Sequence, residues 1–462
     1  MNSKSDAIAP KVAVLTGAAG FIGSDLLKPL LDDGYHVISV IRSKKRRLMP
    51  MPNKNVPEDM MSLELTPADR IEALVKTLDL NAEQQCRLHY VESSLGPETD
   101  TELLYQGLVS ILKCIGSTRI DVVIHTAASL AQESPGMSPD KRAHIREKNL
   151  MTNVQGLTSF LRCLENFGCP QTVRVIRPSI VCGKGSKTGF MAFLNFFGRK
   201  TWGIPNHRLL GPILRLQEKI PFYGNPEAVI DIIDVHDVRK AMLAFVERDS
   251  DDSWASIEST YSIGAVHYVS TAYVQGKATG VLLEEDVYSR PGQEYNNSYE
   301  ESKALGEHTL HEWYSQVLLK HLQDDQLVKE HMDTHFIFNN VSNRNAPTLK
   351  QLTENVFNSL GWSENINKKI IYCQSQEDLF RVLNSMRLRL VANVWRIYWK
   401  RVEVLYPYLL RETGTYFDTT NTMKVVGPGW SRGSFKRYFT FQAVSTRYRT
   451  TPLWKRCFQC NS

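Results

Sequence analysis

Residues 11–30, KVAVLTGAAGFIGSDLLKPL, constrain the fold of this chain more than any other stretch. The valine-rich run at 11–15 reads as a buried strand, and from Phe21 onward Phe21, Ile22, Leu26, Leu27 and Leu30 recur at helical spacing. The turn between them, Thr16 to Gly23, places Gly17, Gly20 and Gly23 three residues apart around Ala19. Without a Cβ the first glycine permits the turn, the second lets backbone approach a pyrophosphate, and the third lets helix pack closely on strand. The helix N-terminus adds N–H donors and the positive end of its dipole. A second strand, HVISVI at 36–41, follows at the distance a dinucleotide-binding βαβ unit requires.

At the end of that second strand an NAD site usually has an acid for the ribose 2′-hydroxyl, whereas this chain has Arg42, then Lys44, Lys45, Arg46 and Arg47. Cations there suit a 2′-phosphate, so Arg42 predicts NADPH; a solvated basic loop is the alternative and accounts for some of the five. Further strands are expected near 87 (RLHYVE) and 120 (IDVVIHTAA). The second would bring His125, Ala127 and Ala128 to the carboxyl end of a parallel sheet, beside the cofactor. The fold expected is α/β, a Rossmann-type doubly wound, mostly parallel sheet, with a smaller helical C-terminal domain.

A catalytic constellation lies later in the chain. VHYVSTAYVQG reads as a buried strand ending in Ser270 and Thr271, and NNSYEESKALGEHTLHEW as a helix with Tyr299 and Lys303 four residues apart, on one face. A phenol with a pKa near 10 is a poor proton donor and acceptor at neutral pH, so an ammonium that stabilises its phenolate and a hydroxyl that shares its proton are useful neighbours.

TGAAGFIGS, STAYVQG and YEESKALGE resemble the extended short-chain dehydrogenases, in particular the fatty acyl-CoA reductase and thioester reductase branch. RPSIVCG at 177–183, IPFYGNPEAVIDIIDVHDV at 220–238 and LYPYLLRETGTYFDTTNTMKVVG at 405–427 are similar to stretches of the same enzymes, the last to the small helical domain after their reductase domain. The resemblance implies that Thr271, Tyr299 and Lys303 are catalytic and that Asn153 organises the active site. It also implies that Arg177, Pro178 and Ser179 join the glycine turn at the cofactor. The implied reaction is NADPH-dependent reduction of a fatty acyl thioester, carried by CoA or acyl carrier protein, to an aldehyde and on to an alcohol if a second hydride follows. A sterol or nucleotide sugar as substrate, and a non-catalytic cofactor-binding scaffold, are the alternatives.

The order of segments departs from that family. Arg177 and Pro178 come some ninety residues before Thr271, whereas in the related enzymes they follow it. Longer crossovers are expected to return the catalytic strand to a place between IDVVIHTAA and VRVIRPSIV; a changed sheet with a damaged site, or a poorly folding chain, are the other outcomes. Handedness and non-crossing rules make such rerouting demanding.

The expected organisation is a reductase domain over 1–360, with the catalytic block at 266–313 and an aromatic substrate segment at 184–230, then a helical domain and basic tail over 361–462. The helical run LFRVLNSMRLRLVANVWRIYWKRVEV either packs on its own protein or lies on a membrane surface or acidic carrier. A net charge of +6 over 462 residues, with no zinc-finger or RNA-binding signature, gives no support to nucleic-acid binding. The eight cysteines show no framework spacing, and Cys457 with Cys460 lacks a second ligand pair, so no metal is expected. No signal-like or long apolar segment is seen, and a cytoplasmic enzyme is the expectation.

Overall fold

The computed structural model describes residues 9–47, 62–134, 136–183, 219–250, 260–288, 290–332, 336–342, 346–359, 367–401, 403–427 and 430. Most of the expected substrate segment, at 184–218, and the tail from 431, with Cys457 and Cys460, lie outside the described residues.

Seven parallel strands form the central sheet: β1 (Val12–Thr16), β2 (His36–Ile41), β3 (Leu88–Glu92), β4 (Arg119–His125), β5 (Thr172–Pro178), β6 (Ser262–Val269) and β7 (Ile337–Asn340). Their spatial order is 3-2-1-4-6-5-7. A doubly wound sheet usually runs 3-2-1-4-5-6, so the two strands exchanged in the chain are exchanged back in space. β6 lies between its neighbours, pairing Val266 with Val123 of β4 on one side and with Val173 of β5 on the other.

The helices explain how this route is accommodated. Alternate strand residues bury on opposite faces: Ala13 and Leu15 pack with Leu26, Leu30 and the Val235–Ser250 helix, while Val12 and Val14 pack with the Thr101–Ile115, Gly156–Glu165 and Ser298–Leu322 helices. Steps toward β3 run through the first layer and steps toward β7 through the second. The backward step from β5 to β6 uses the Val235–Ser250 helix, which lies in the first layer beside the Phe21–Asp32 helix. Every crossover therefore keeps one hand, as right-twisted strands require.

A buried cluster secures the relocated strand on this layer. Arg174 of β5 and His267 of β6 both bond Asp249, with Arg174 Nε to Oδ2 at 2.7 Å and His267 Nε2 to Oδ2 at 2.7 Å. The KKRR run is a strand rather than a loop, since Lys44–Arg47 pairs antiparallel with Ser62–Leu65.

The part after 360 is mostly helical but does not stand apart. Ile370–Cys373 pairs with Ile220–Tyr223, and Tyr416–Phe417 with Val281–Leu282. Trp395, Trp399 and Leu409 share one core with Phe222, Tyr223, Tyr273 and Leu349. A division at 360 in the sequence is thus bridged in space. None of the described helices is long and apolar enough to cross a membrane.

Candidate active site

The glycine turn closes β1 onto the Phe21–Asp32 helix. Gly17 has φ +69°, where a side chain is strained, and a Cβ there would meet the Ala127 amide nitrogen at 2.8 Å. Gly20 N–H donates to Gly17 O at 2.7 Å, and a Cβ on Gly23 would lie 2.3 Å from that same oxygen. Gly23 is thus the close-packing residue. Gly20 is the extended N-cap residue, with no side chain capping the helix, so the first-turn N–H groups keep free the donors an anion needs. Phe21 and Ile22 pack their side chains into the first-layer core, leaving backbone as their means of meeting a ligand.

β4 joins this turn through Thr16. Thr126 Oγ1 donates to Thr16 O at 2.7 Å, the Ala127 amide donates to Thr16 Oγ1 at 3.3 Å, and His125 Nδ1 lies 3.1 Å from that hydroxyl. Ala127 and Ala128 are partly exposed at the strand's carboxyl end, but His125 is enclosed between Phe160 and Tyr268 at ring distances of 5.4 and 5.7 Å. Burial, then the Lys303 charge, pushes its pKa down to about 3. Its imidazole is therefore neutral and interior, and what it does for a neighbouring ligand passes through Thr16.

β6 delivers Ser270 and Thr271 to the same edge. Ser270 N–H donates to Ile176 O at 2.8 Å, and the Thr271 hydroxyl, which receives the Tyr273 amide at 3.3 Å, lies 3.4 Å from Pro178 O. The Ser298–Leu322 helix begins at Asn297, whose Oδ1 accepts the Glu300 amide at 3.0 Å. One turn in, the Tyr299 phenol comes within the influence of the Thr271 side chain. Burial pushes the phenol up, with Thr271 opposing and Glu300 adding to the rise.

Lys303 is almost wholly buried. Its ammonium donates to Val269 O at 2.7 Å and sits 4.4 Å from the centre of the Tyr268 ring. Burial pulls its pKa down to about 7, opposed by Glu307. Tyr268, stacked on His125 and covered by Lys303, thus connects the catalytic helix to the strand beside the glycine turn.

Asn153 lies in a π-helical turn, Met151–Gln155, set between two α-helical stretches. Its Oδ1 accepts the Ser129 amide at 2.7 Å, while Nδ2 donates to Ser129 O at 3.1 Å and Ser302 Oγ at 2.9 Å. Asn149 repeats the pattern one turn earlier, bonding Ser129 Oγ at 2.7 Å and Ser298 Oγ at 2.8 Å. The two amides clamp the loop after β4 to the Ser298–Leu322 helix. Nothing in its composition singled out Asn149.

Arg177 is fully buried and paired with Glu307, Nε to Oε1 at 2.9 Å, and its Nη1 donates to Glu285 O at 2.9 Å. Its guanidinium is committed to the protein, so a cofactor contact from this stretch falls to backbone or to Ser179. Ser179 Oγ and Ser270 Oγ, at the ends of β5 and β6, are buried without a hydrogen-bond partner.

Glu300 was also missed in the sequence. It is fully buried, accepting from the Asn296 amide at 2.8 Å and from the Tyr408 hydroxyl at 2.7 Å, while Asn297 Nδ2 donates to that same Tyr408 oxygen at 2.9 Å. Burial raises its carboxyl to about 7. The start of the catalytic helix is thereby tied to the C-terminal part of the chain. An acid flanking Tyr299 was the available signal, but two adjacent glutamates at a helix start also read as an ordinary dipole-favoured first turn.

At the far end of β2, Arg42 is exposed and its carbonyl accepts from Arg70 Nη1 at 2.5 Å. Burial, with Arg42 adding to it, lowers the Arg70 pKa. Two guanidinium-bearing residues thus meet where the sequence indicated one.

Fold and site define the class: a Rossmann-type α/β protein with a glycine turn between its first strand and helix and with Thr271, Tyr299 and Lys303 grouped at the carboxyl edge of the sheet. Residues 13–176 match the model of the NAD dependent epimerase/dehydratase family. That match covers β1 to β5 and stops before the relocated block. No curated protein matches the chain. Among solved structures, the UDP-glucose 4-epimerase of Thermotoga maritima with UDP-glucose is 13% identical, with 95% of this chain and 100% of that one covered and a TM-score of 0.41. The UDP-glucuronic acid 4-epimerase of Bacillus cereus, with UDP-glucuronic acid and NAD, is 14% identical over 93% of this chain and 99% of that one, with a TM-score of 0.36.

Proposed function

We propose that this chain is an NAD(P)-dependent oxidoreductase in which Tyr299 exchanges a proton with a substrate oxygen. The observation that carries this reading is the return of β6 to the position between β4 and β5, which brings Thr271, Tyr299 and Lys303 to the sheet edge that holds the glycine turn. The cradle fits a dinucleotide, because the helix that opens at Gly20 has no side-chain cap on its first-turn N–H groups and because Ser179 and Ser270 carry unpartnered buried hydroxyls at the neighbouring strand ends. Gly17 to Gly23 would hold the pyrophosphate, and Arg42 with Arg70 would favour a 2′-phosphate, hence NADPH.

The cofactor supplies or accepts the hydride. The chain's own residues handle the oxygen: as negative charge grows there, the Tyr299 phenol donates its proton and the Thr271 hydroxyl holds the phenol's position. Lys303 near neutrality is divided between charged and neutral forms, and its ammonium form stabilises the phenolate left behind.

Two substrate classes fit this chemistry. The match over residues 13–176 favours a nucleotide sugar. The resemblance of 220–238, 270–276, 299–307 and 405–427 to fatty acyl reductases, all beyond that match, supports a fatty acyl thioester on CoA or a carrier protein. Turnover is followed by the cofactor's absorbance with palmitoyl-CoA and with UDP-glucose and UDP-glucuronate, each with NADH and NADPH or their oxidised forms. Tyr299→Phe is expected to lower turnover about 10²- to 10⁴-fold while leaving cofactor affinity unchanged. Cofactor binding without turnover on either class would overturn the enzyme reading, and turnover on one class alone decides the substrate.

A further inference from the structure

Along the Gln376–Ser385 and Arg389–Arg401 helices and the turn that joins them, four large apolar side chains are left uncovered among the described residues. Phe380, Leu388, Leu390 and Ile397 are 48, 46, 66 and 57% exposed, four of the most exposed large apolar side chains among the described residues. Leu390 and Ile397 are seven residues apart, two helical turns, and so share a face. The opposite face is engaged: Val391, Trp395, Tyr398 and Trp399 are buried in the core shared with Phe222 and Leu409. The packed face answers to the reading of a helical run packed on its own protein; the other face is left for a different explanation.

Charge settles what the uncovered face would meet. Residues 379–402 hold six Lys and Arg and no Asp or Glu. Arg381 pairs with Asp378 of its own helix, and Arg396 donates to Asn393 at 2.8 Å, whereas Arg387, Arg389 and Lys400 have no ion pair among the described residues. The imbalance extends to the end of the chain. Residues 379–462 hold fifteen Lys and Arg against three Asp and Glu, while the whole chain is only +6, so everything before them is net acidic. Exposed Arg387, Arg389 and Lys400 interspersed in the sequence with exposed Leu388, Leu390 and Ile397 match an interface of anionic headgroups over acyl chains. An ordinary solvated helix face would carry charges of both signs and little exposed Leu or Ile.

The geometry points to a peripheral membrane-docking face made by Phe380, Leu388, Leu390 and Ile397 with Arg387, Arg389 and Lys400, which seats the protein on an anionic lipid surface. The apolar side chains would enter the headgroup boundary while the Arg and Lys stems reach up to the phosphates. This does not depend on the catalytic reading, since none of these residues belongs to the site.

The test is co-sedimentation of the full chain with vesicles of phosphatidylcholine alone and of phosphatidylcholine with about one third phosphatidylserine. The expected result is binding at least about tenfold stronger to the anionic vesicles, weakened by raised salt. Leu390→Ser with Ile397→Ser should cut that binding about tenfold. Arg387→Glu with Arg389→Glu should remove the preference for anionic lipid. Both pairs lie on the exposed face, so both variants should keep the thermal melting of the parent. Equal partition onto neutral and anionic vesicles would overturn the proposal, as would full binding by the Ser variant, which would assign any attachment to another part of the chain. Saturable binding to an acidic acyl carrier protein, without vesicle binding, would also overturn it in favour of a protein partner.

Discussion

Replacing Lys303 with Met is expected to stabilise the protein at acid pH while ending its turnover. Lys303 is 1% exposed, and burial takes its pKa from the ordinary 10.5 to about 7. At about 1.4 kcal/mol per tenfold change in proton affinity, holding this ammonium in the fold at low pH costs about 5 kcal/mol. The cost is full below pH 7, where the amine is charged in both folded and unfolded chains. It falls as pH rises from 7 to 10.5, because there the folded protein has lost a proton that the unfolded chain keeps, and it is gone above 10.5. Met removes this cost but orphans the Val269 carbonyl, now bonded at 2.7 Å, a loss of about 1–3 kcal/mol. The variant should therefore gain about 2–4 kcal/mol at pH 6 and lose about 1–3 kcal/mol near pH 10.5. Urea unfolding of parent and variant, followed by circular dichroism at both pH values, measures the difference. A difference of the same sign and size at both would refute the reasoning, since only the titration of this amine makes it depend on pH.

Three further outcomes are expected. Arg177→Met leaves Glu307 charged and unpaired in the interior and should cost about 3–5 kcal/mol, most of which the double replacement Arg177→Met with Glu307→Leu recovers; denaturant melts that show no recovery would mean the pair matters less than its packing. Gly23→Ala puts a Cβ 2.3 Å from Gly17 O, so the turn must open; the expected cost is about 2 kcal/mol with at least tenfold weaker cofactor binding, read by fluorescence titration. Arg42→Asp should weaken NADPH about tenfold or more relative to NADH, and equal effects on the two would remove Arg42 from the 2′-phosphate.

Much of the architecture was legible because it is locally encoded. The strand, glycine turn and helix at residues 11–32 declare themselves by an apolar run, three glycines and a change of period, and the structure keeps them within a residue or two. The four-residue spacing of Tyr299 and Lys303 fixes their common helix face wherever that helix lies. The KKRR strand was not legible, because its pairing partner lies beyond a long intervening stretch and the residues themselves have little strand preference.

What the sequence by itself determined, then, is the set of elements and the chemistry each can present: a phosphate cradle, a phenol and an amine on one helix, hydroxyls at the end of a strand. Only the tertiary structure decided that β6 is threaded back between β4 and β5, that Arg177 is spent on Glu307, and that Glu300 ties the catalytic helix to Tyr408. The division has one physical cause. Periodicity and turn chemistry act over a few residues, whereas strand neighbours and the desolvation that resets a lysine or a glutamate come from contacts between segments a hundred or more residues apart, which no local pattern records.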